Sequence, residues 1–194
     1  MTEPRIVSID SLDLDSQNPV IDEVFKEALS TLRSGQLMIL PIDTSYVFAV
    51  DAENSAPQRE VNRLRQVTDI FTPTIIVGDF DSLTKVCLTD EISDEAREML
   101  HTGLLSIVLP TFEASIFGEA NADKVMVNMP SNPLVRALLE RFGICQIAAA
   151  GIAGSGSILE IQKATKDFGI FVDLYWDMGI LSGKTSTMPH SQIS

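Results

Sequence analysis

Apolar residues recur at helical spacing in some stretches of the chain and form short unbroken runs in others. The clearest helix is predicted after Asn18 and Pro19, where apolar residues return every three or four positions. Short apolar runs at 37–40 and 46–50 predict buried strands. Predicted helices and strands then alternate almost to the end of the chain. This pattern is typical of an α/β fold with a central sheet covered by helices.

The remaining elements follow the same alternation. Further helices are predicted at 57–67, 81–86, 93–103, 133–143 and 158–168. Further strands are predicted at 74–77, 104–109, 125–129, 144–150 and 170–175. Residues 111–123 are predicted as a loop. The predicted organisation is a polar lead-in at 1–17, one α/β domain at 18–188 and a flexible tail at 189–194.

Composition narrows the class of protein without identifying its activity. The 194 residues are 45% hydrophobic and 21% charged, as in ordinary globular domains. The net charge of −13 repels phosphate backbones, so nonspecific nucleic-acid binding driven by overall charge is not expected. The overall charge does not exclude a local basic patch on the surface. Two cysteines, no signal-peptide pattern and no long apolar run predict a cytoplasmic protein without a disulfide framework or a membrane partner.

Candidate chemistry in the residues is limited to anion binding. His101 and His190 have no further ligands at zinc-site spacing, so no metal site is predicted. The glycine-rich segment 151–156 follows a predicted strand, and its amides suit an anion, although a tight loop is the plain alternative.

Three arginines fall within one predicted helix. Arg59, Arg63 and Arg65 are candidates for contacts with phosphate or RNA, because a guanidinium donates two parallel hydrogen bonds. A solvated helix face would have the same pattern. From its residues, the chain is interpreted as an α/β domain with a candidate anion-binding cleft.

Several short motifs occur in an order that resembles one known family. Leu40-Pro41-Ile42-Asp43-Thr44-Ser45-Tyr46 is similar to its motif Pro-Thr-(Asp/Glu)-Thr-Val-Tyr-Gly-Leu. The other matching segments are 64–66, 101–106, 126–130, 132–134, 149–152 and 183–187. On these motifs the chain resembles the YrdC-like family, the threonylcarbamoyl-AMP synthases, over about residues 19–188.

The resemblance implies a twisted mixed sheet flanked by helices, with a concave cleft. Active members condense threonine, bicarbonate and ATP into threonylcarbamoyl-AMP, a step toward a modified adenosine in tRNA. The resemblance therefore implies a nucleotide ligand, which would be ATP with Mg²⁺ if synthase activity is kept. It also implies tRNA or duplex RNA as a partner. The ligand-binding candidates carried over from the family's motifs are Asp43, Thr44, Tyr46, Arg65, Ser106, Asn128, Ser186 and Thr187.

The chain departs from the family at several polar positions. The residues that stand there are Ile42, Val67, Phe71, Asn128, Ala149, Ala150 and Ile152. Each lost hydrogen bond to a charged group removes about 1.5–3 kcal/mol. We therefore expect a diverged member without ordinary ATP-dependent synthesis, with a cleft for a nucleotide-like, RNA or other ligand. An active synthase and a non-catalytic protein that acts through a protein partner are the alternatives.

Two further expectations follow from these departures. Five of the replaced positions, Ile42, Phe71, Ala149, Ala150 and Ile152, are expected to form one apolar floor of the cleft. Val67 and Asn128 stand where the family has cations, which together with the net charge predicts weak, salt-dependent RNA binding or none.

Overall fold

The computed structural model describes residues 3–14, 19–67, 72–90, 92–103, 105–112 and 123–183. Within these ranges one eight-stranded sheet runs through the molecule in the order β1-β8-β2-β3-β7-β4-β6-β5. The strands are β1 Arg5–Ser8, β2 Met38–Pro41, β3 Tyr46–Asp51, β4 Thr74–Ile76, β5 Ser106–Pro110, β6 Lys124–Asn128, β7 Cys145–Ala149 and β8 Leu174–Asp177. The helices are α1 Pro19–Arg33, α2 Ser55–Arg65, α3 Phe80–Thr84, α4 Asp94–Leu100, α5 Pro133–Phe142 and α6 Ile161–Phe168.

The sheet is mixed, as predicted. β8 pairs in parallel with β1 and β2, and β4 pairs in parallel with β6. The pairs β2–β3, β3–β7, β4–β7 and β5–β6 are antiparallel. The predicted α/β class with a mixed sheet flanked by helices is therefore confirmed.

Successive residues of the central strands point to opposite faces of the sheet and enter different cores. Met38 and Leu40 of β2 pack with α1 and α5, whereas Ile39 between them packs with α2 and α6. A third core lies under β4, β5 and β6. The helices α1 and α5 therefore cover the face of the central sheet opposite to α2 and α6.

Side-chain caps begin four of the described helices, and Asp79 caps α3. Asn54, Ser93 and Asn132 each accept a hydrogen bond from an amide in the first turn of α2, α4 and α5. These caps satisfy donors that a helix leaves unpaired at its start. The predicted cap of α1, Asn18, lies outside the described residues.

The structure differs from the predicted elements mainly at β1, α6 and β8, which spans Leu174–Asp177 instead of 170–175. Arg5–Ser8, predicted within a polar lead-in, forms β1 in parallel with β8. This four-residue strand has no recognisable alternation of apolar and polar residues, because only Val7 of the four is buried. Helix α6 begins three residues later than predicted, since Ile158 forms a bridge with Tyr46 instead. Most of the predicted loop 111–123, and the tail 184–194, lie outside the described residues.

Candidate functional site

The turn between β2 and β3 holds Asp43 against two other segments. Its carboxylate accepts hydrogen bonds from the Ser131 amide nitrogen at 2.9 Å and from the Ser131 hydroxyl. It also lies so close to Gly103 that a Cβ atom there would overlap it. Gly103 has φ +75°, a conformation that favours glycine. The segments around 103 and 131 thus both lie against the Asp43 carboxylate.

The end of the described chain meets the same turn. The carbonyl of Asp43 accepts a hydrogen bond from the Ser182 hydroxyl at 3.3 Å. The carbonyl of Thr44 accepts one from the Gly183 amide at 3.1 Å. Asp43 and Thr44 therefore lie where four segments meet. The predicted candidates Ser186 and Thr187 follow Gly183 in the sequence but lie outside the described residues.

Asn128 and Ser106 are paired in register at the adjoining ends of β6 and β5. Asn128 is only 4% exposed. Its side-chain amide donates to the carbonyls of Gly103 at 3.2 Å and Leu105 at 3.1 Å, and lies 3.4 Å from the Ser106 hydroxyl. Its Oδ1 atom is buried and has no hydrogen-bond partner among the described residues. This position is neutral and almost fully enclosed.

We call this group, Asp43, Gly103, Ser106, Asn128 and Ser131, the Asp43 cluster. Sequence reasoning found three of its members, Asp43, Ser106 and Asn128. It did not identify Gly103 or Ser131 as functional candidates. Gly103 lies in a segment that matches a family motif, which was the available signal, whereas Ser131 sits between two matching segments.

Tyr46 is fully buried, and its hydroxyl lies within hydrogen-bond distance of three partners. It accepts from the Met178 amide at 3.0 Å and can donate to Asp177 Oδ1 at 2.9 Å or to the Gly179 carbonyl at 2.8 Å. Burial raises the pKa of Tyr46 well above its usual range. In this arrangement Tyr46 anchors the end of β8 instead of presenting a hydroxyl to solvent.

Arg65, the last residue of α2, lies against the glycine-rich segment 151–156. Its Nε donates to the Gly151 carbonyl at 3.4 Å, and its own carbonyl accepts from the Ala153 amide at 2.9 Å. Partial burial lowers the pKa of the Arg65 guanidinium below its ordinary value. We call Arg65 together with residues 151–156 the Arg65 loop.

The Arg65 loop has backbone donors that no described residue uses. Among the described residues, the backbone amides of Ile152, Gly154 and Gly156 have no hydrogen-bond acceptor, and all three residues are exposed. Gly154 and Gly156 have φ of +82° and +81°. Successive amides with such backbone conformations form concavities that suit an anion. The loop is tied to β3 by the Ala150 amide, which donates to the Tyr46 carbonyl at 3.1 Å.

The three arginines of α2 do not converge on one site. Arg63 forms an ion pair with Glu60, with Nε 2.8 Å from the carboxylate, and lies over the Phe171 ring at 5.5 Å. The Arg63 guanidinium lowers the pKa of the Glu60 carboxyl. Arg59 is exposed and donates to the Ser55 hydroxyl at 3.1 Å. Of the three, Arg65 alone is part of the Arg65 loop.

The prediction that five replaced positions form one apolar floor of a cleft is wrong. Ile42 packs against the core under α1 and α5, whereas Ala150 is fully buried in the core under α2 and α6. Ala149 and Ile152 are exposed, and Phe71 lies outside the described residues. The reason is the alternation of the sheet: residues that are adjacent in sequence near the strand ends enter opposite faces.

The described residues form neither a metal-binding cluster nor a membrane-spanning helix. In the ranges that the structure covers, His, Cys, Asp and Glu side chains do not gather in threes at a spacing that could hold a metal ion. None of the helices in those ranges is long and apolar enough to cross a bilayer. Both cysteines are buried, and burial raises the pKa of the Cys87 thiol to about 12.

Comparison with known sequences points to one family. The Sua5/YciO/YrdC family model, described as "Telomere recombination", matches residues 30–190. A Mycobacterium tuberculosis protein named "Putative threonylcarbamoyl-AMP synthase" is 27% identical over 158 residues, covering 78% of this chain and 71% of that protein. Escherichia coli YciO, named as an uncharacterized protein, is 23% identical over 122 residues, covering 62% of this chain and 59% of its own.

Solved structures share the fold. The crystal structure of P. abyssi Sua5 complexed with L-threonine superposes with a TM-score of 0.79 at 21% identity, over 94% of this chain and 53% of that one. The crystal structure of E. coli YciO superposes with a TM-score of 0.77 at 18% identity, over 97% of this chain and 89% of that one. This chain thus spans about half the length of Sua5 and most of YciO.

Proposed function

Because the chain belongs to the Sua5/YciO/YrdC family, we propose that it is a diverged member that binds a nucleotide-like ligand without ordinary synthesis of threonylcarbamoyl-AMP. The ligand would be held at the Arg65 loop through its phosphate groups. The Asp43 cluster would support the fold beside that site.

The proposed loss of synthesis rests on the charge, burial and hydrogen bonds of Asn128. The family's motifs imply an arginine at this position, and a cation there would help to stabilise charge on the substrates. Asn128 is neutral and buried, and both hydrogen-bond donors of its amide face protein oxygens. A ligand carboxylate or phosphate would have to compete with the carbonyls of Gly103 and Leu105.

The observation in favour of a retained ligand is the open donor set of the Arg65 loop. A half-buried guanidinium attracts an anion more strongly than an exposed one, because less water screens the charge. The amides of Ile152, Gly154 and Gly156 add neutral donors on the same loop. A guanidinium beside several amides suits a phosphate group, which supports a nucleotide-like ligand over an uncharged one.

The second candidate function is an active synthase. It is favoured by the curated relative from M. tuberculosis, whose name carries that activity. In that case ATP with Mg²⁺, threonine and bicarbonate would be the substrates. The two candidates differ in one measurable product, the pyrophosphate that leaves ATP.

RNA is not part of the favoured proposal. The net charge is −13, and the Arg63 side chain is paired with Glu60. We expect weak and strongly salt-dependent binding of tRNA or duplex RNA, or none, at about 150 mM salt. Submicromolar binding at that salt would contradict this expectation. Arg59, Arg63 and Arg65 would then be the first residues to exchange.

The test combines calorimetric binding with pyrophosphate release. We expect ATP or ADP to bind, and Arg65→Gln to weaken that binding at least about tenfold. The control Arg59→Gln removes an exposed arginine from the same helix and should leave the affinity unchanged within about twofold. With ATP, threonine and bicarbonate present, we expect no pyrophosphate above background, while an active family member releases it.

Each alternative has its own result. Pyrophosphate release at the rate of an active member would overturn the proposed loss of synthesis. Binding that Arg65→Gln does not weaken would exclude the Arg65 loop as the phosphate site. If no nucleotide binds, the non-catalytic interaction protein becomes the better description.

A further inference from the structure

A groove between α1 and the last turn of α5 carries positive charge on this acidic protein. It is a shallow depression of about 640 Å³ that is largely open to solvent. It lies on the α1 and α5 side of the sheet, opposite to the helix that carries Arg65. The residues that line it are Asp22, Phe25, Lys26, Leu29, Ser30, Arg33, Ser34 and Arg141.

None of the three cations of the groove is paired with a described carboxylate. Within the part of the chain that the structure describes, Lys26, Arg33 and Arg141 have no carboxylate within 4.0 Å. Elsewhere on the surface, cations do have such partners, as Arg5 has Glu27 at 2.9 Å. Asp22 is the one acidic residue that lines the groove, so its lining carries a net positive charge.

Two of these cations are held in position by the protein. The Arg141 guanidinium stacks over the Phe25 ring at 4.0 Å, and Phe25 in turn packs edge-on against Trp176. Arg33 Nη2 donates to the Arg141 carbonyl at 3.4 Å. Neither contact uses the N–H groups of Arg141, which have no hydrogen-bond acceptor among the described residues. A guanidinium ordered in this way loses little entropy when it binds an anion.

Helix dipoles explain only part of this arrangement. Arg33 and Arg141 lie in the last turns of α1 and α5, where a cation interacts favourably with the helix dipole. Lys26 lies in the middle of α1 and gains nothing from that effect. Lys26 and Arg33 are seven residues apart on α1, which corresponds to about 10 Å along the helix axis.

We propose that this groove is a second ligand site, which binds a small molecule carrying two or more phosphate groups. Cations spread over about 10 Å suit more than one phosphate, and the arginine forks bind phosphate oxygens in pairs. The net charge of −13 opposes a long polyanion that extends beyond the groove. Contacts within the groove lie inside the Debye length of about 8 Å and are less affected.

The test uses inorganic tripolyphosphate and backbone amide NMR spectra of the full chain. We expect amide shifts at residues 26–34 and near 141 that saturate with added tripolyphosphate. The double variant Arg33→Gln, Arg141→Gln should weaken binding at these amides at least about tenfold. Arg65→Gln should leave the amide shifts at residues 26–34 and near 141 unchanged, which would distinguish this site from the Arg65 loop.

Two further variants keep the test decisive. Lys26→Gln with Arg33→Gln retains the Arg141 stack on Phe25, so it should fold and still weaken binding. Lys163→Gln with Lys166→Gln removes the same charge from α6 and should not weaken it. Equal weakening by the α6 pair would show only a long-range charge effect and overturn the site. Absence of shifts at 26–34, or tighter binding of a tetraglutamate peptide or duplex RNA than of tripolyphosphate, would also overturn it.

Discussion

The Asp43 cluster and the Arg65 loop are both attached to the β2–β3 region, but they use their polar groups in opposite ways. In the cluster, Asp43 and Asn128 direct their polar atoms mainly at other parts of the protein. In the loop, the amides of Ile152, Gly154 and Gly156 have no acceptor among the described residues.

This difference bears on how a family site can change. A cluster whose donors are already used offers little to a ligand, because each new bond requires an existing one to break. A loop with unused donors offers new bonds without such a loss. Under the proposed function, the Arg65 loop would keep its capacity to bind, while the Asp43 cluster has a structural role.

The largest effect is expected from a variant that returns the family's polar residues to five positions. The changes are Ile42→Thr, Val67→Arg, Asn128→Arg, Ala150→Ser and Ile152→Asn. If the polar groups of the Asp43 cluster are already bonded within the protein, this variant should lose at least about 3 kcal/mol of unfolding free energy. Ala150→Ser buries a hydroxyl, and Asn128→Arg forces a long cation into an enclosed position. Urea denaturation measures this loss.

The matched control is Ile152→Asn alone. Ile152 is 41% exposed, so this change should alter stability by no more than about 0.5 kcal/mol. A fivefold variant as stable as the parent, with a melting temperature that ATP raises by several degrees, would show an open ancestral pocket and remove the contrast between the two regions.

The second prediction compares two glycines. Gly103 and Gly154 have φ of +75° and +82°, but only at Gly103 would an added Cβ meet the Asp43 carboxylate. Both alanine variants carry a backbone penalty of about 1–2 kcal/mol. Gly103→Ala should cost at least about 1 kcal/mol more than Gly154→Ala, because Asp43 must also move.

A double-mutant cycle with Asp43→Ala tests the reason for that difference. The overlap disappears when Asp43 is truncated, so the costs of Asp43→Ala and Gly103→Ala should add to more than the cost of the double variant. Equal costs for the two glycine variants would mean that Asp43 does not hold the 103 segment.

The third prediction concerns Tyr46, whose backbone meets the Arg65 loop and whose hydroxyl anchors the end of β8. Tyr46→Phe leaves Asp177 and the Met178 amide without this partner and should cost about 1–2 kcal/mol near pH 7.

The same residue sets an expected pH dependence. Burial raises the pKa of Tyr46 in the folded state, so its contribution to stability is complete below the unfolded pKa of about 10. Above that pH the unfolded chain binds fewer protons than the native one, and stability falls as pH rises. Tyr46→Phe should lose stability less steeply than the parent between about pH 9 and pH 11. Parallel slopes in urea titrations would contradict a buried, protonated Tyr46.

The last prediction is a small effect of Arg65→Gln on stability. The Arg65 side chain makes one long hydrogen bond, to Gly151, and its partial burial disfavours the charge. Its replacement should change the unfolding free energy by less than about 1 kcal/mol. By contrast, Asp43→Ala should cost more, because it leaves the Ser131 amide and hydroxyl without their acceptor. A larger loss at Arg65 than at Asp43 would reverse the assignment of the two regions.

Local patterns in the sequence determined most of the secondary structure. The spacing of apolar residues predicted α1 and the central strands, and the predicted ranges of α2, α4 and α5 begin within three residues of their caps at Asn54, Ser93 and Asn132. These features depend on residues a few positions apart, so a single sequence contains them. The ordered motifs also indicated the family, which the matching family model bears out. The candidate ligand residues stay predictions, and two of them, Ser186 and Thr187, lie outside the described residues.

Tertiary structure alone decided which polar residues are used inside the protein and which remain available. Tyr46, Asn128 and Arg65 were equivalent candidates in the sequence, yet the first two are buried and bonded while Arg65 borders an open loop. Their partners lie far away in the chain: Asp177 is 131 residues from Tyr46, and Gly151 is 86 residues from Arg65. Strand β1 was missed for the same reason, since its pairing partner β8 lies at the other end of the chain. Hydrogen bonds between distant segments depend on strand order and on which face each side chain enters. No local pattern carries that information.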